Sequence, residues 1–333
     1  MAQGIKAWRR IQMGKEATAG TAVAATSYWR GLGTIQDNRT EVFPDEDIGI
    51  LPGVDRTYVP KVEALLTLDP IPATFEQVGY IFQMGICDST SSTDANGFKW
   101  DYDFPVQTSD ARTVTDLRTY TFEGGDNAAA EEFAYGHVRS FTLSGTAGEA
   151  LMMSAEVVGR QVAPTSDGSF TAGLSIPAVT EILFSKGSLY IDGCASTDTI
   201  GTTQVSNEFL SMDLSVNTGW LPVYTGDGNI YFSFVKQTMP EVILQITLEH
   251  NTKAIAEIAA WRAQTARQIR VQFDGATGNQ LILDIAGKWD NFEKIGERDG
   301  NDIVTGVFRG RYNSTAALFF ETEVHCSTLS ALP

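Results

Sequence analysis

Three cysteines, three histidines and no apolar run approaching the roughly 20 residues that cross a bilayer leave this 333-residue sequence without several common devices. Cys87, Cys194 and Cys326 are far apart and odd in number, which argues against a disulfide framework and for folding in a reducing compartment. His137, His250 and His325 never fall three or four residues from another histidine or a cysteine, so a zinc site of common spacing is absent from the pattern. GxxxxGK[ST], a GxGxxG between strand and helix, and the GxSxG elbow are all missing, which removes the usual handles for phosphate cradles and serine hydrolysis. The N-terminus "MAQGIKAWRRIQMGKE" has basic residues but no apolar stretch behind them, unlike a secretory signal. No cofactor or metal is expected.

Basic charge is also scarce. With 24 Lys+Arg against 41 Asp+Glu the net charge is −17, which opposes adhesion to nucleic acid, because such binding draws on Lys and Arg to neutralise phosphates. Residues 1–33 run against this trend: Lys6, Arg9, Arg10, Lys15 and Arg30 oppose Glu16 alone, a net +4 that leaves −21 for the rest. A basic arm on an acidic body is expected, with Lys6, Arg9 and Arg10 as candidates for docking on a neighbouring subunit. The carboxylate groups in "PDEDIG", "WDYDF" and "ERDGND" match no complete calcium loop and read as solvated loops.

What is abundant is polar/apolar alternation in short runs punctuated by Gly, Asp, Asn and Ser, the pattern of antiparallel strands and hairpins. "HVRSFTLSG", "ALMMSAEVVG", "FLSMDLSV", "EVILQITLE" and "IRVQFDG" are examples. Two segments carry helical spacing instead. Pro72 suits an opening turn before Phe75, Val78 and Ile81, and Ile255, Ile258 and Trp261 repeat the spacing.

These two segments echo each other. At an offset of 180, Pro60 falls on Pro240, Val62 on Val242, Thr67 on Thr247 and Leu68 on Leu248, and the helical triads superpose. At an offset of 151, "FEGG" from Phe122 falls on "FDGA" from Phe273, Ser154 on Thr305, and Gly159 on Gly310. The 29-residue difference implies an insertion in the first half, at about 87–118, expected as a surface loop. The expected organisation is a mainly β chain of two tandem β-sandwich or partial-barrel units, 1–165 and 175–333, each with one flanking helix and a long projecting loop. The projecting segments are "TEVFPDEDIGILPGVDRTYVP" and "GWLPVYTGDGNIYFSFVKQTMP". Ile48, Ile50, Leu51, Ile230, Phe232 and Phe234 are poorly suited to solvated loops and become candidates for contacts between subunits or rings.

The opening "GKEATAGTAVAATSYWRGLG" resembles the N-terminal segment of the tail tube proteins, or major tail proteins, of long-tailed bacteriophages. "SFTLSG", "ALMMSAEVVGR" and the late "DIAGKWDNFEKIGERDGNDIVTGVFRGRYN" look like that family's paired strands. The resemblance implies a non-enzymatic virion protein in which six β-sandwich units form a ring, inner strands close into a barrel, and stacked rings conduct DNA. Two units per chain would make each ring a trimer. It further implies assembly in the host cytoplasm into the virion tail, with tape measure, tail tip and tail terminator proteins as partners and no membrane insertion.

An acidic lumen would repel transiting DNA without binding it. In "LDIAGKWDNF" alternation puts Asp284, Lys288 and Asp290 on one face, the lumen candidate, with Glu156 a second candidate in the first half. Two other classes compete. One is a two-domain β-sandwich binding module, for carbohydrate or as a virion decoration protein, with exposed Trp100 or Trp220 stacking on the ligand. The other is a hydrolase whose carboxylate pair forms only in space.

Overall fold

The computed structural model describes residues 4–94, 97–106, 117–166, 168–196, 199–327 and 332. Strands β1 (Arg10–Lys15), β2 (Ser27–Trp29), β3 (Gly33–Arg39) and β4 (Val62–Pro72) lead to helix α1 (Val78–Gly85). After it come β5 (Ser92–Asp94), β6 (Gly97–Asp103), β7 (Tyr120–Gly125), β8 (Ala130–Thr146), β9 (Met152–Gly159) and β10 (Ala163–Pro164). The C-terminal half opens with β11 (Gly187–Gly193), β12 (Gln204–Val205), β13 (Phe209–Asn217), β14 (Trp220–Val223), β15 (Phe234–Gln237) and β16 (Glu241–Glu249). Helix α2 (Thr252–Arg262) follows, then β17 (Arg267–Asp274), β18 (Gln280–Phe292), β19 (Gly296–Arg298), β20 (Asn301–Gly310) and β21 (Phe320–Cys326). The protein is mainly β, as the alternation implied.

Local chemistry accounts for the two helices differently. In β4, Val62, Ala64, Leu66 and Leu68 face the core, and the ladder stops at Pro72, which has no N–H to give it. Pro72 therefore closes the strand rather than opening the helix, and a turn at 74–77 separates the two. Helix α2 starts directly after β16 because the Asn251 side chain accepts hydrogen bonds from the Lys253 and Ala254 amides, satisfying two of the first-turn donors.

The ladders of the N-terminal half run β2–β1–β7–β8–β9–β4–β3. Those of the C-terminal half run β12–β11–β17–β18–β20–β16–β13. The long strand β8 joins the halves: its first part pairs with β7, and from Ser140 to Thr146 the same edge pairs with β13. An unbroken eight-stranded sheet results, β3–β4–β9–β8–β13–β16–β20–β18, with β3 at one end and the distal part of β18 at the other. Beneath it lies one apolar core shared by both halves, in which Phe82, Phe141, Leu214, Leu244, Phe273 and Phe308 are fully buried.

Two expectations need correcting. The insertion after α1 is more than a surface loop: β6 pairs with β21 through Asp103↔Glu321 and Phe98↔Cys326, adding a strand from the first half to the sheet of the second. Trp100, Tyr102 and Phe104 are buried there. Residues 95–96 and 107–116 of that insertion lie outside the described ones. Nor are residues 1–33 an arm throughout, since β1 lies between β2 and β7 with Ile11 and Met13 in the core. Glu16, buried just past β1, accepts hydrogen bonds from Gly20 N (2.6 Å), Tyr135 N (2.8 Å), Thr119 Oγ1 (2.6 Å) and Thr121 Oγ1 (2.9 Å).

Candidate assembly surfaces

One face of the eight-stranded sheet covers the core, and the other carries mostly polar side chains with Leu65, Val158, Ile243 and Val307 among them. Thr142 on β8 pairs with Ser154 on β9 at 2.7 Å, Thr247 on β16 with Thr305 on β20 at 3.0 Å, and Ser211, Asp213 and Ser215 of β13 point the same way. Ion-paired charge on this face sits in two clusters, and Asp213 stands outside them. Arg139, at a bulge in β8, donates to Glu156 at 2.7 Å and to Glu63 at 3.1 Å; Arg309 of β20 donates to Glu241 at 2.6 Å and to Asp290 at 3.3 Å. Both clusters carry more acid than base.

The four lumen candidates thus separate. Glu156, Lys288 and Asp290 lie on or beside this polar face. Asp284 does not, because the first part of β18 pairs with β17 and β21 and belongs to a different sheet region. There it is 5% exposed and held in a two-pronged contact with Arg270, at 2.8 and 2.6 Å. A bulge between Trp289 and Asn291 also interrupts the alternation that had grouped the three residues. Sequence reasoning passed over Glu63, Arg139 and Arg309, whose pairing depends on neighbouring strands.

Asp284 instead joins an acidic cluster. Register places Asp103 beside Glu321 and Asp101 beside Glu323, so "WDYDF" is strand, not solvated loop, and oxygens of Asp101, Glu321 and Glu323 lie within 4.8 Å of one another. Burial, then the charges of Asp103, Asp284, Glu323 and Asp101, push Glu321 up to about 7. Lys99 already stands in the cluster as a cation, 3.0 Å from Asp101 and 3.1 Å from Glu323. The carboxylates are closer together than the 5 Å or more that separate glycosidase pairs.

The projecting segments behave differently from each other. From Thr40 to Lys61 the chain is held across its base by the bridge Val42↔Tyr58, and Phe43, Ile48, Ile50, Leu51 and Tyr58 are all more than half exposed. The second segment is an ordered hairpin, β14–β15, in which Ile230 and Phe234 are exposed, as a partner-facing role requires, but Phe232 is not. Phe232 is fully buried against Tyr135, ring centroids 5.1 Å apart, in a cluster with Leu117, Val158, Trp220 and Val235. It is an anchor within the chain, and its candidacy for subunit contact falls. Gly219 supports the hairpin base at φ 78°, where a side chain would meet Thr238 O at 2.6 Å.

Of the basic candidates, Lys6 and Arg9 are exposed, next to an exposed Trp8. Arg10 is part of β1, its guanidinium 4.2 Å from the centre of the Phe170 ring, so it is engaged within the chain. Trp100 and Trp220, on which a ligand-stacking role depended, are 3% and 2% exposed and offer no face to a ligand. Among the described residues no helix is long and apolar enough to cross a membrane. Compared with known proteins, the chain matches no family model and no curated sequence.

Proposed function

We propose that this chain is a structural subunit of a phage-type tail tube, and that it consists of two tandem copies of one ring-building unit. The observation that carries this is the ladder order. Strand for strand, β2–β1–β7–β8–β9–β4–β3 and β12–β11–β17–β18–β20–β16–β13 follow the same scheme, with a helix after β4 and after β16. The halves then join edge to edge through β8 and β13, a head-to-tail contact that repeats until a ring closes.

Three such chains supply six units and, at eight strands each, a 24-stranded barrel. Closure removes the sheet edges that otherwise invite uncontrolled pairing. The polar face of the sheet would line the bore, where Glu63, Glu156, Asp213, Glu241 and Asp290 outnumber Arg139, Lys288 and Arg309, so phosphates meet a wall that repels more than it binds. Ring stacking falls to the exposed apolar residues of the projecting segments and to Lys6 and Arg9. Negative-stain microscopy and native mass spectrometry of the purified protein test this. Rings or tubes of uniform bore with three chains per ring are expected, and a protein that stays monomeric up to millimolar concentration refutes the reading.

A further inference from the structure

Inside the chain, the contact between the halves has a definite anatomy. β13 adds to the β8 edge, Thr218 then donates through N (3.0 Å) and Oγ1 (2.9 Å) to Arg139 O, and Trp220 Nε1 donates to Gly85 O at the end of α1, 2.8 Å away. The β14–β15 hairpin finishes the contact with Phe232 and Val235. Under this cover and that of β6, every residue of α1 is buried.

The C-terminal half has the receiving side of the same contact with no strand on it among the described residues, only the Trp261 Nε1 that donates to Asp290 O at 3.1 Å. Beyond Gly287, β18 has a strand partner on its β20 edge only, and β19 pairs with β20 alone among the described residues. Helix α2, which should match α1, buries only Ala254 and Ala260 and leaves Ile255 53% exposed. Between α2 and β18 runs a groove of about 510 Å³ lined by Trp261, Gln264, the basic Arg262, Lys288, Arg309 and Arg311, and one acid, Asp290, so its charge is positive on balance. Arg309 is paired with Glu241 and Asp290, and Arg262, Lys288 and Arg311 have no salt-bridge partner among the described residues.

The N-terminal half has the inserting side, equally unused. β3 pairs with β4 alone among the described residues. Ile35 sits opposite Leu66 as Met212 sits opposite Ile246, and Phe43 lies eight residues beyond Ile35 as Trp220 lies eight beyond Met212. The Val42↔Tyr58 bridge stands where Thr238 N donates to Gly219 O. Trp220 is 2% exposed and its counterpart Phe43 is 66% exposed. Glu41, Asp45 and Asp47 around Phe43 make this segment acidic, opposite in sign to the groove.

We infer that Phe43 and the acidic segment around it insert into the basic groove between α2 and β18 of a second copy of this chain, while β3 extends that copy's sheet along the distal β18–β19 edge. The inference rests on the ring reading and specifies its contact. Electrostatic attraction brings the surfaces together, and Phe43 takes the place on α2 that Trp220 holds on α1. The base of the loop from Thr40 to Lys61 is then covered, as the β14–β15 hairpin is within the chain, and its tip residues Ile48, Ile50 and Leu51 stay free for stacking between rings.

Cysteine pairing and a conservative series test this on the full chain. With Pro44→Cys and Gln264→Cys combined, a short bismaleimide should give dimer and trimer bands that neither single variant nor the wild type gives. Phe43→Ala should weaken self-association about 100-fold, Phe43→Trp should retain it, and neither should change the melting temperature of the monomer. If rings form but the double variant does not cross-link and Phe43→Ala assembles like wild type, the docking is wrong and the ring reading survives. If no assembly occurs under any condition, both are overturned.

Discussion

Replacing Trp220 tests the template on which the contact between chains is drawn. Its indole is 2% exposed, seated among Leu117, Tyr135, Val158, Phe232 and Val235, and its N–H reaches Gly85 O at 2.8 Å. Truncation to alanine removes an aromatic core side chain, a loss of about 3–5 kcal/mol, and strands a carbonyl at a helix end, about 1 kcal/mol more. Trp220→Phe keeps most of the ring volume and loses the hydrogen bond, so about 1–2 kcal/mol is expected. The gap between the variants, about 3 kcal/mol, measures packing alone. Urea unfolding followed by far-ultraviolet circular dichroism reads both, at concentrations where the chain is monomeric, with equal m-values as the check on a common unfolded state. Because one core spans both halves, a single transition is expected. A Trp220→Ala variant within 1 kcal/mol of wild type would refute the claim that this side chain anchors one half on the other.

Glu321, pushed up to about 7 by burial and acidic neighbours, holds its proton longer folded than unfolded, so stability drains away as pH rises from 4.5 to about 7. Glu321→Gln should be more stable than wild type above pH 7 by roughly 1–2 kcal/mol after solvent screening, with the gain disappearing near pH 4 in urea titrations. His137 acts in the opposite sense: burial lowers it to about 4, so the fold is fully stabilised above pH 6.5 and loses up to about 3 kcal/mol as pH falls toward 4. His137→Leu should flatten that acid limb. Glu16→Ala leaves the amides of Gly20 and Tyr135 and two threonine hydroxyls without their acceptor, and a loss of at least about 3 kcal/mol in urea unfolding is expected.

Alternation and punctuation in the sequence identified the strands well because each reports its own burial. "EVILQITLE" is β16, with Val242, Leu244, Ile246 and Leu248 in the core as its period of two requires. The relation between distant strands was less accessible. Thr67 faces Glu156 and Thr247 faces Thr305, so the ladders put Glu156 where the sequence offset had put Ser154, a slip of two that preserves face and therefore pattern. Period also cannot say what covers a face. Ile255, Ile258 and Trp261 have the spacing of Val78 and Ile81, yet Ile255 is exposed while Val78 and Ile81 are buried, because β6 and the β13–β14 turn lie over α1 alone. Phe232 looked like a loop residue for the same reason, its cluster being built from Leu117, Tyr135 and Val158, which lie 74 to 115 residues earlier. Asp284 was misplaced because strand β18 changes partners midway, from β17 and β21 to β20.

The β6–β21 ladder makes the two halves interdependent during synthesis. Residues 97–103 leave the ribosome more than two hundred residues before 320–326, so Trp100 and Tyr102 wait without their β21 partner until that later strand has been made. A nascent first half is therefore unable to finish its own fold, and pairing at such separation is slow and exposed to aggregation. The arrangement acts as a clasp that fastens late: a chain stopped before residue 320 cannot complete the β6–β21 ladder, so the first half does not become a stable unit by itself.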